Sequence, residues 1–172
     1  ADRDSDQPDY VRSITVSDGK VYAAGSYMNN YNDFPCYWVD GAFNALALPS
    51  GTSSGATYAI AVSGSKVYAA GYSYDSAKIP GYWNDGVFVS LDIPAGATFT
   101  VRGGMGMGIA VSDKVYVMGN YRLNDVNYPC VWADGVRTDL TFDNSMNGGA
   151  SGTSLAVSGG KVYVSGYSIT HN

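Results

Sequence analysis

Three aspartates stand at matching places along this 172-residue chain: Asp33, Asp75 and Asp125. Paired carboxylates are the working groups of glycoside hydrolysis, one acting as acid and the other as base or nucleophile. Descent from a repeated segment accounts for these three more simply, so an Asp-dependent glycan-cleaving enzyme is the weakest of the readings. Other catalytic arrangements find even less support. The single histidine, His171, lies next to the last residue, which leaves a Ser-His-Asp or Cys-His constellation without a base. The cysteines Cys36 and Cys130 lack the histidine and cysteine spacing of a zinc site. They occupy equivalent places, in "PCYW" and "PCVW", where a third copy has Gly81 in "PGYW". That pattern describes a small buried position rather than a redox pair. No catalytic residue, cofactor or resident metal is expected.

Two further stretches resemble ligand loops. Asp2, Asp4 and Asp6, followed by Asp9, begin like a calcium loop, but Gln7 stands at the turn glycine and Ser13 at the bidentate glutamate. A solvated acidic tail over residues 1–10 is the better account. The run 103–108, "GGMGMG", has the glycines of a phosphate loop, but a strand rather than a helix follows at Ile109. It reads as a connection.

The elements that must carry these residues follow from composition and repetition. All 15 acidic residues are Asp, and Gln7 is the sole glutamine, while there are 22 Gly and 15 Tyr. Loss of Glu and Gln removes good helix formers, whereas Asp and Gly favour turns and Tyr favours strands. The fold class is therefore all-β. A net charge of −5, with scattered cations, disfavours nucleic acid and anionic lipid. No apolar run approaches the ~18 residues of a membrane-spanning helix. No leader peptide is visible, and export remains compatible with a start at Ala1.

One phrase is written four times: "ITVSDGKVYAAGSY" from Ile14, "IAVSGSKVYAAGYS" from Ile60, "IAVSDKVYVMGNY" from Ile109 and "LAVSGGKVYVSGYS" from Leu155. The copies are 46, 49 and 46 residues apart. Each complete copy holds four short strand-like runs, a to d; in the second they are 58–63, 66–73, 80–84 and 87–93. Asp40-Gly41, Asp85-Gly86 and Asp134-Gly135 join c to d as tight hairpins, since both residues tolerate positive φ. Shorter turns join a to b. Four antiparallel strands per unit of this length predict β-propeller blades, at 11–49, 58–94 and 107–142, with a partial blade at 153–169. Strands such as "VYAAG" are apolar throughout, as sheets covered on both faces require. Trp38, Trp83 and Trp132, with the repeated tyrosines, would fill the space between blades. Pro35, Pro80 and Pro129 would open strand c. A β-solenoid fits less well, because hairpins imply antiparallel sheets.

Three and a half blades leave apolar faces open, which soluble monomers seldom tolerate. The expected partners are therefore the remaining blades of a longer chain, a second copy, or another protein. In an up-and-down blade the b–c and d–a connections share one end. They read as long and variable: 28–34, 74–79 and 123–128 for b–c; 49–57, 94–108 and 143–153 for d–a. Rigid scaffolds carry binding groups on such loops. The candidate ligand-binding residues are Asn30, Tyr31, Asn32, Asp33, Tyr74, Asp75, Arg122, Asn124, Asp125, Asn127 and Tyr128, with Lys78 beside them. Such groups suit sugar hydroxyls, although each is also an ordinary turn former.

The run Val67–Ser73, the aromatic pair Tyr82-Trp83 and the following Asp-Gly turn resemble the HAF-type repeats of bacterial extracellular β-propeller proteins, and more loosely kelch repeats. The resemblance covers roughly residues 11–169. It implies a propeller in an exported, periplasmic or surface protein, and it carries no active-site residues over. The expected function is a non-catalytic interaction or scaffold module. A lectin-like propeller is the alternative.

Overall fold

The computed structural model describes residues 9–100, 107–142 and 149–168. Every regular element among them is a β-strand, and the strands form four antiparallel sheets. The chain divides into two compact units, one ending at Ser90 and one beginning at Leu91.

The first unit holds two four-stranded meanders. Strands β1 (Asp9–Ser17), β2 (Lys20–Asn29), β3 (Asn32–Val39) and β4 (Ala42–Ala45) form the first sheet in sequence order. Strands β5 (Ser54–Ser63), β6 (Lys66–Tyr74), β7 (Lys78–Asn84) and β8 (Val87–Ser90) form the second. The edge strand β5 packs on β1, β2 and β3.

The second unit holds a five-stranded sheet and a hairpin. In the sheet, β10 (Gly108–Val111), β11 (Val115–Leu123), β12 (Val126–Ala133) and β13 (Val136–Asp139) form a meander, and β9 (Thr98–Thr100) also pairs with β11. Strands β14 (Ala150–Ser158) and β15 (Lys161–Ser168) form the hairpin, and β14 packs on β10, β11 and β12.

The Asp-Gly turns fold as the residues dictate. Asp40 and Gly41 have φ of 48° and 83°, and Asp85-Gly86 and Asp134-Gly135 follow suit. The aspartate does a second job. Val21 N donates to Asp40 Oδ1 at 2.9 Å and Asp40 N donates to the Val21 carbonyl at 2.9 Å. Val115 and Asp134 repeat this pairing. The side chain thus locks the c–d hairpin onto strand b, which Asn or Gly could not do with a charged acceptor.

Several boundaries differ from the sequence expectation. The b–c connections are not long loops. Strands β2 and β3 run on until only Asn30 and Tyr31 remain between them, at φ of 48° and 61°. Asn124 and Asp125 make the same two-residue turn between β11 and β12. Asparagine and aspartate tolerate this left-handed backbone, and Tyr31 adopts it beside Asn30, so both tight hairpins form without glycine. Because strand c starts earlier, Pro35, Pro80 and Pro129 lie inside it rather than opening it. The Pro35 carbonyl accepts from Leu46 N, and that of Pro129 from Leu140 N. In an antiparallel strand a residue's N and carbonyl point to the same side, so the missing N–H faces the edge where strand d has ended. The expected d–a connection 94–108 contains β9, and the acidic-tail boundary at residue 10 falls within β1.

Strand a carries a bulge in three sheets. The register slips between Val11 and Ser13, between Thr57 and Ala59, and between Gly152 and Ser154. The bulge explains why the residue opposite is glycine. A Cβ on Gly71 would stand 2.0 Å from the Ala56 carbonyl oxygen, and one on Gly25 would strike that of Tyr10. The third sheet solves the same problem by splitting the strand into β9 and β10, with Phe99 close against Gly119.

Each unit has its own core. Leu46, Ala69 and Trp83 cluster in the first, with Tyr37 and Phe88 against them. Tyr116, Met118 and Val131 cluster in the second, with Leu140, Leu155 and Val164 against them. Cys36 and Cys130 form no disulfide and are buried completely, and burial pushes the Cys130 thiol upward, away from reactivity.

Candidate functional site

The bulges create the most distinctive polar cluster. A bulge leaves one residue unpaired and re-aims its side chain. Arg12 and Tyr58 are the bulged residues of the first two sheets, and they meet. The Arg12 guanidinium lies 4.8 Å from the centre of the Tyr58 ring and 5.4 Å from that of Tyr10. Arg12 donates to Ser26 Oγ at 2.8 Å, and Ser26 donates to Asp33 Oδ1 at 2.9 Å. The hydroxyl relays the cation to the carboxylate without direct contact. Tyr72 extends the group, 6.0 Å from Tyr58, with the Lys78 ammonium 4.7 Å from its ring centre.

The electrostatics follow from burial. Desolvation pushes the Tyr72 phenol up to about 12, aided by Tyr58 and Asp33. Tyr58 is raised for the same first reason, partly offset by Arg12. Burial lowers Lys78. The phenols therefore stay protonated and donating at neutral pH. The cluster presents hydroxyls, aromatic faces, two cations and a carboxylate, which is equipment for holding a polar ligand.

The predicted residues distribute as follows. Asn30 and Tyr31 form an exposed hairpin tip, with Tyr31 85% exposed. Asn32 donates back to the Asn30 carbonyl at 3.1 Å, and Asp33 joins the Arg12 relay. Tyr74 is exposed along its ring, while its carbonyl accepts from Ser53 N. Asp75 sits in the exposed β6–β7 turn. In the second unit Arg122 pairs with Asp125 across the turn at 3.1 Å, an exposed ion pair of little energetic weight. Asn124 lies exposed at the same tip. Asn127 is buried and bridges to Gly149. Tyr128 stacks on Tyr121 at 5.3 Å and meets Phe142 edge-on at 5.8 Å. Asp33 is thus joined to Arg12, and Arg122 to Asp125, but the eleven residues form no single group within either unit.

Sequence reasoning missed Arg12, Ser26, Tyr58 and Tyr72. The one available signal was the strand-b glycine, since a glycine at Gly25 and Gly71 marks a bulge opposite. Asp2, Asp4 and Asp6 lie outside the described residues. Among the described residues no group of three His, Cys, Asp or Glu stands together as a metal cage. No described helix is long and apolar enough to cross a membrane.

Side chains also pin sheet to sheet. The Thr57 hydroxyl lies 2.6 Å from the Gly25 carbonyl and 3.0 Å from that of Cys36, sharing its proton between them. Asn120 Nδ2 donates to the Gly152 carbonyl at 3.2 Å, while Gly152 N donates to Asn120 Oδ1 at 2.8 Å. The tryptophans act likewise. Trp83 Nε1 donates to the Ala47 carbonyl at 2.7 Å, and Trp132 Nε1 to that of Asp92 at 2.9 Å. Each acceptor follows a leucine, Leu46 or Leu91, just past a strand d. Trp38 is only half-buried and meets Phe43 edge-on at 6.0 Å.

No protein-family model matches the chain, and no curated protein matches it either.

Proposed function

We propose that the chain is a non-catalytic interaction module whose sheets are β-propeller blades, and that it belongs to an exported or surface protein. One observation carries this reading: the outer flank of the first sheet is apolar and bare. Val11, Ile14 and Val16 are 62%, 68% and 66% exposed, whereas Ile60, the counterpart of Ile14 in the next copy, is 6% exposed beneath the first sheet. A blade face of this composition is built to be covered. The covering body is a neighbouring blade, from the same protein or from a partner. The HAF-like sequence pattern supports the same architecture and an extracellular setting.

The test is association. The chain should bind an apolar dye and self-associate with rising concentration in sedimentation velocity. The double variant Ile14→Lys/Val16→Lys should lose both behaviours while melting at the same temperature. A dye-free 18.1 kDa monomer at all concentrations would overturn the reading.

The Arg12 cluster favours a second reading, a lectin-like module that holds a glycan by its hydroxyls. Glycan-array binding that disappears in Tyr58→Ala, Tyr31→Ala or Tyr128→Ala would establish it. Binding unchanged in all three would remove it.

A further inference from the structure

The two units contain the same seam, but one is filled and the other is not. In the first unit Trp83 enters between the sheets. It lies over Leu46, beside Ala69 and Tyr37, and donates to the Ala47 carbonyl. The second unit repeats four walls of that site, the one that Phe88 adds in the first unit having no counterpart among the described residues. Leu140 stands for Leu46, Val164 for Ala69, Val131 for Tyr37, and the Thr141 carbonyl for that of Ala47. In place of the indole there is a cleft of about 460 Å³, lined by Val131, Leu140, Thr141 and Val164 among others. A smaller cleft, also reaching Leu140, Thr141 and Val164, adjoins it along Gly166. Leu46 is 7% exposed and Ala69 1%, whereas Leu140 and Val164 remain half-buried.

We propose that the outer edge of β15 and this cleft form a docking site for one extended segment of the type Pro-small-(Tyr or Val)-Trp, supplied from outside residues 9–168. The strand adds antiparallel to β15 and the tryptophan fills the cleft. The register is fixed by the three complete sheets. Gly25 faces Cys36, Gly71 faces Gly81 and Gly119 faces Cys130; Ala23 faces Trp38, Ala69 faces Trp83 and Val117 faces Trp132. The small residue of the incoming strand therefore sits opposite Gly166, and its tryptophan opposite Val164. The indole N–H donates to the Thr141 carbonyl. Main-chain bonds to the outer edge of β15, which no strand among the described residues pairs with, supply affinity, and the indole supplies selectivity. This site deepens the module reading, but it lies on a different sheet from the first-sheet flank, so the two can fail separately.

The probe is a fluorescein-labelled peptide with the sequence of residues 78–91, "KIPGYWNDGVFVSL", titrated into the intact chain by fluorescence anisotropy. Saturable binding is expected, weakened at least tenfold when the peptide's tryptophan is replaced by alanine. Val164→Arg in the chain should abolish it with the far-UV circular dichroism spectrum unchanged. Amide hydrogen exchange on the unmutated chain is a second readout independent of any variant, and the peptide should slow exchange within β15. Absence of binding, equal binding of the alanine peptide, or protection elsewhere than β15 overturns the proposal. So does a dimer that the peptide dissociates, since the occupant would then be a second copy.

Discussion

The seam between the first two sheets and the seam between the last two are made from the same parts, assembled with opposite polarity. In the first unit a side chain of the later sheet, Thr57, reaches back to backbone carbonyls of the earlier one. In the second, Asn120 of the earlier sheet reaches forward to the backbone of Gly152. Both solutions satisfy buried polar groups where two sheets meet, and the fold is indifferent to which side supplies the pin. The larger difference is the tryptophan. Trp83 closes the first seam against Leu46, while the second stays open over Leu140. A seam's closure thus depends on the third strand of the sheet behind it, because only that strand carries the indole.

Substitutions can turn one seam into the other. Trp83→Ala should have the largest effect, since it opens the first seam and orphans the Ala47 carbonyl. A loss of about 3–5 kcal/mol is expected by urea denaturation; under 1 kcal/mol would mean that the indole is not what closes the seam. Gly71→Ala should cost about 3 kcal/mol, the upper range for overpacking, because its Cβ meets a backbone carbonyl that cannot move aside. The same change at Gly41, where nothing lies within 4 Å, tests backbone φ alone and should cost about 1 kcal/mol. Thr57→Val keeps the shape and removes the pin, for about 1–3 kcal/mol, and Asn120→Leu should match it if the two pins are equivalent. Equal stability of Thr57→Val and the parent would dissolve that equivalence.

A pH titration sharpens the same contrast from the first unit. The Tyr72 phenol is raised to about 12 from an unfolded value of 10.0. Its protonated form is favoured in the fold, so its contribution is fully present below pH 10 and is lost as pH rises through 12. Denaturation midpoints should fall over that window, and Tyr72→Phe should flatten the decline. The smallest effect belongs to the bare flank. Ile14→Thr should change stability by no more than about 0.5 kcal/mol, whereas Ile60→Thr, at the equivalent buried position, should cost several times more. Similar costs at both would show that Ile14 is covered in solution.

Much of the strand pattern was legible. The Asp-Gly turns, the copy spacing and the apolar runs locate the meanders, because local turn chemistry and face polarity act within a few residues. The Asn30-Tyr31 and Asn124-Asp125 turns were not legible, since two left-handed residues without glycine look like loop. The Arg12 cluster escaped as well. Arg12 and Tyr58 are 46 residues apart, and each becomes a partner of the other only because a bulge swings it off the ladder.

Composition and repetition by themselves determined that this chain makes antiparallel sheets with two apolar faces, because the preferences of Asp, Gly, Tyr and Val are settled locally. Tertiary structure alone decided which of those faces are covered. Ile14 and Ile60 carry the same side chain in nearly the same phrase, yet one meets solvent and the other meets a sheet, and burial depends on the neighbour rather than on the residue.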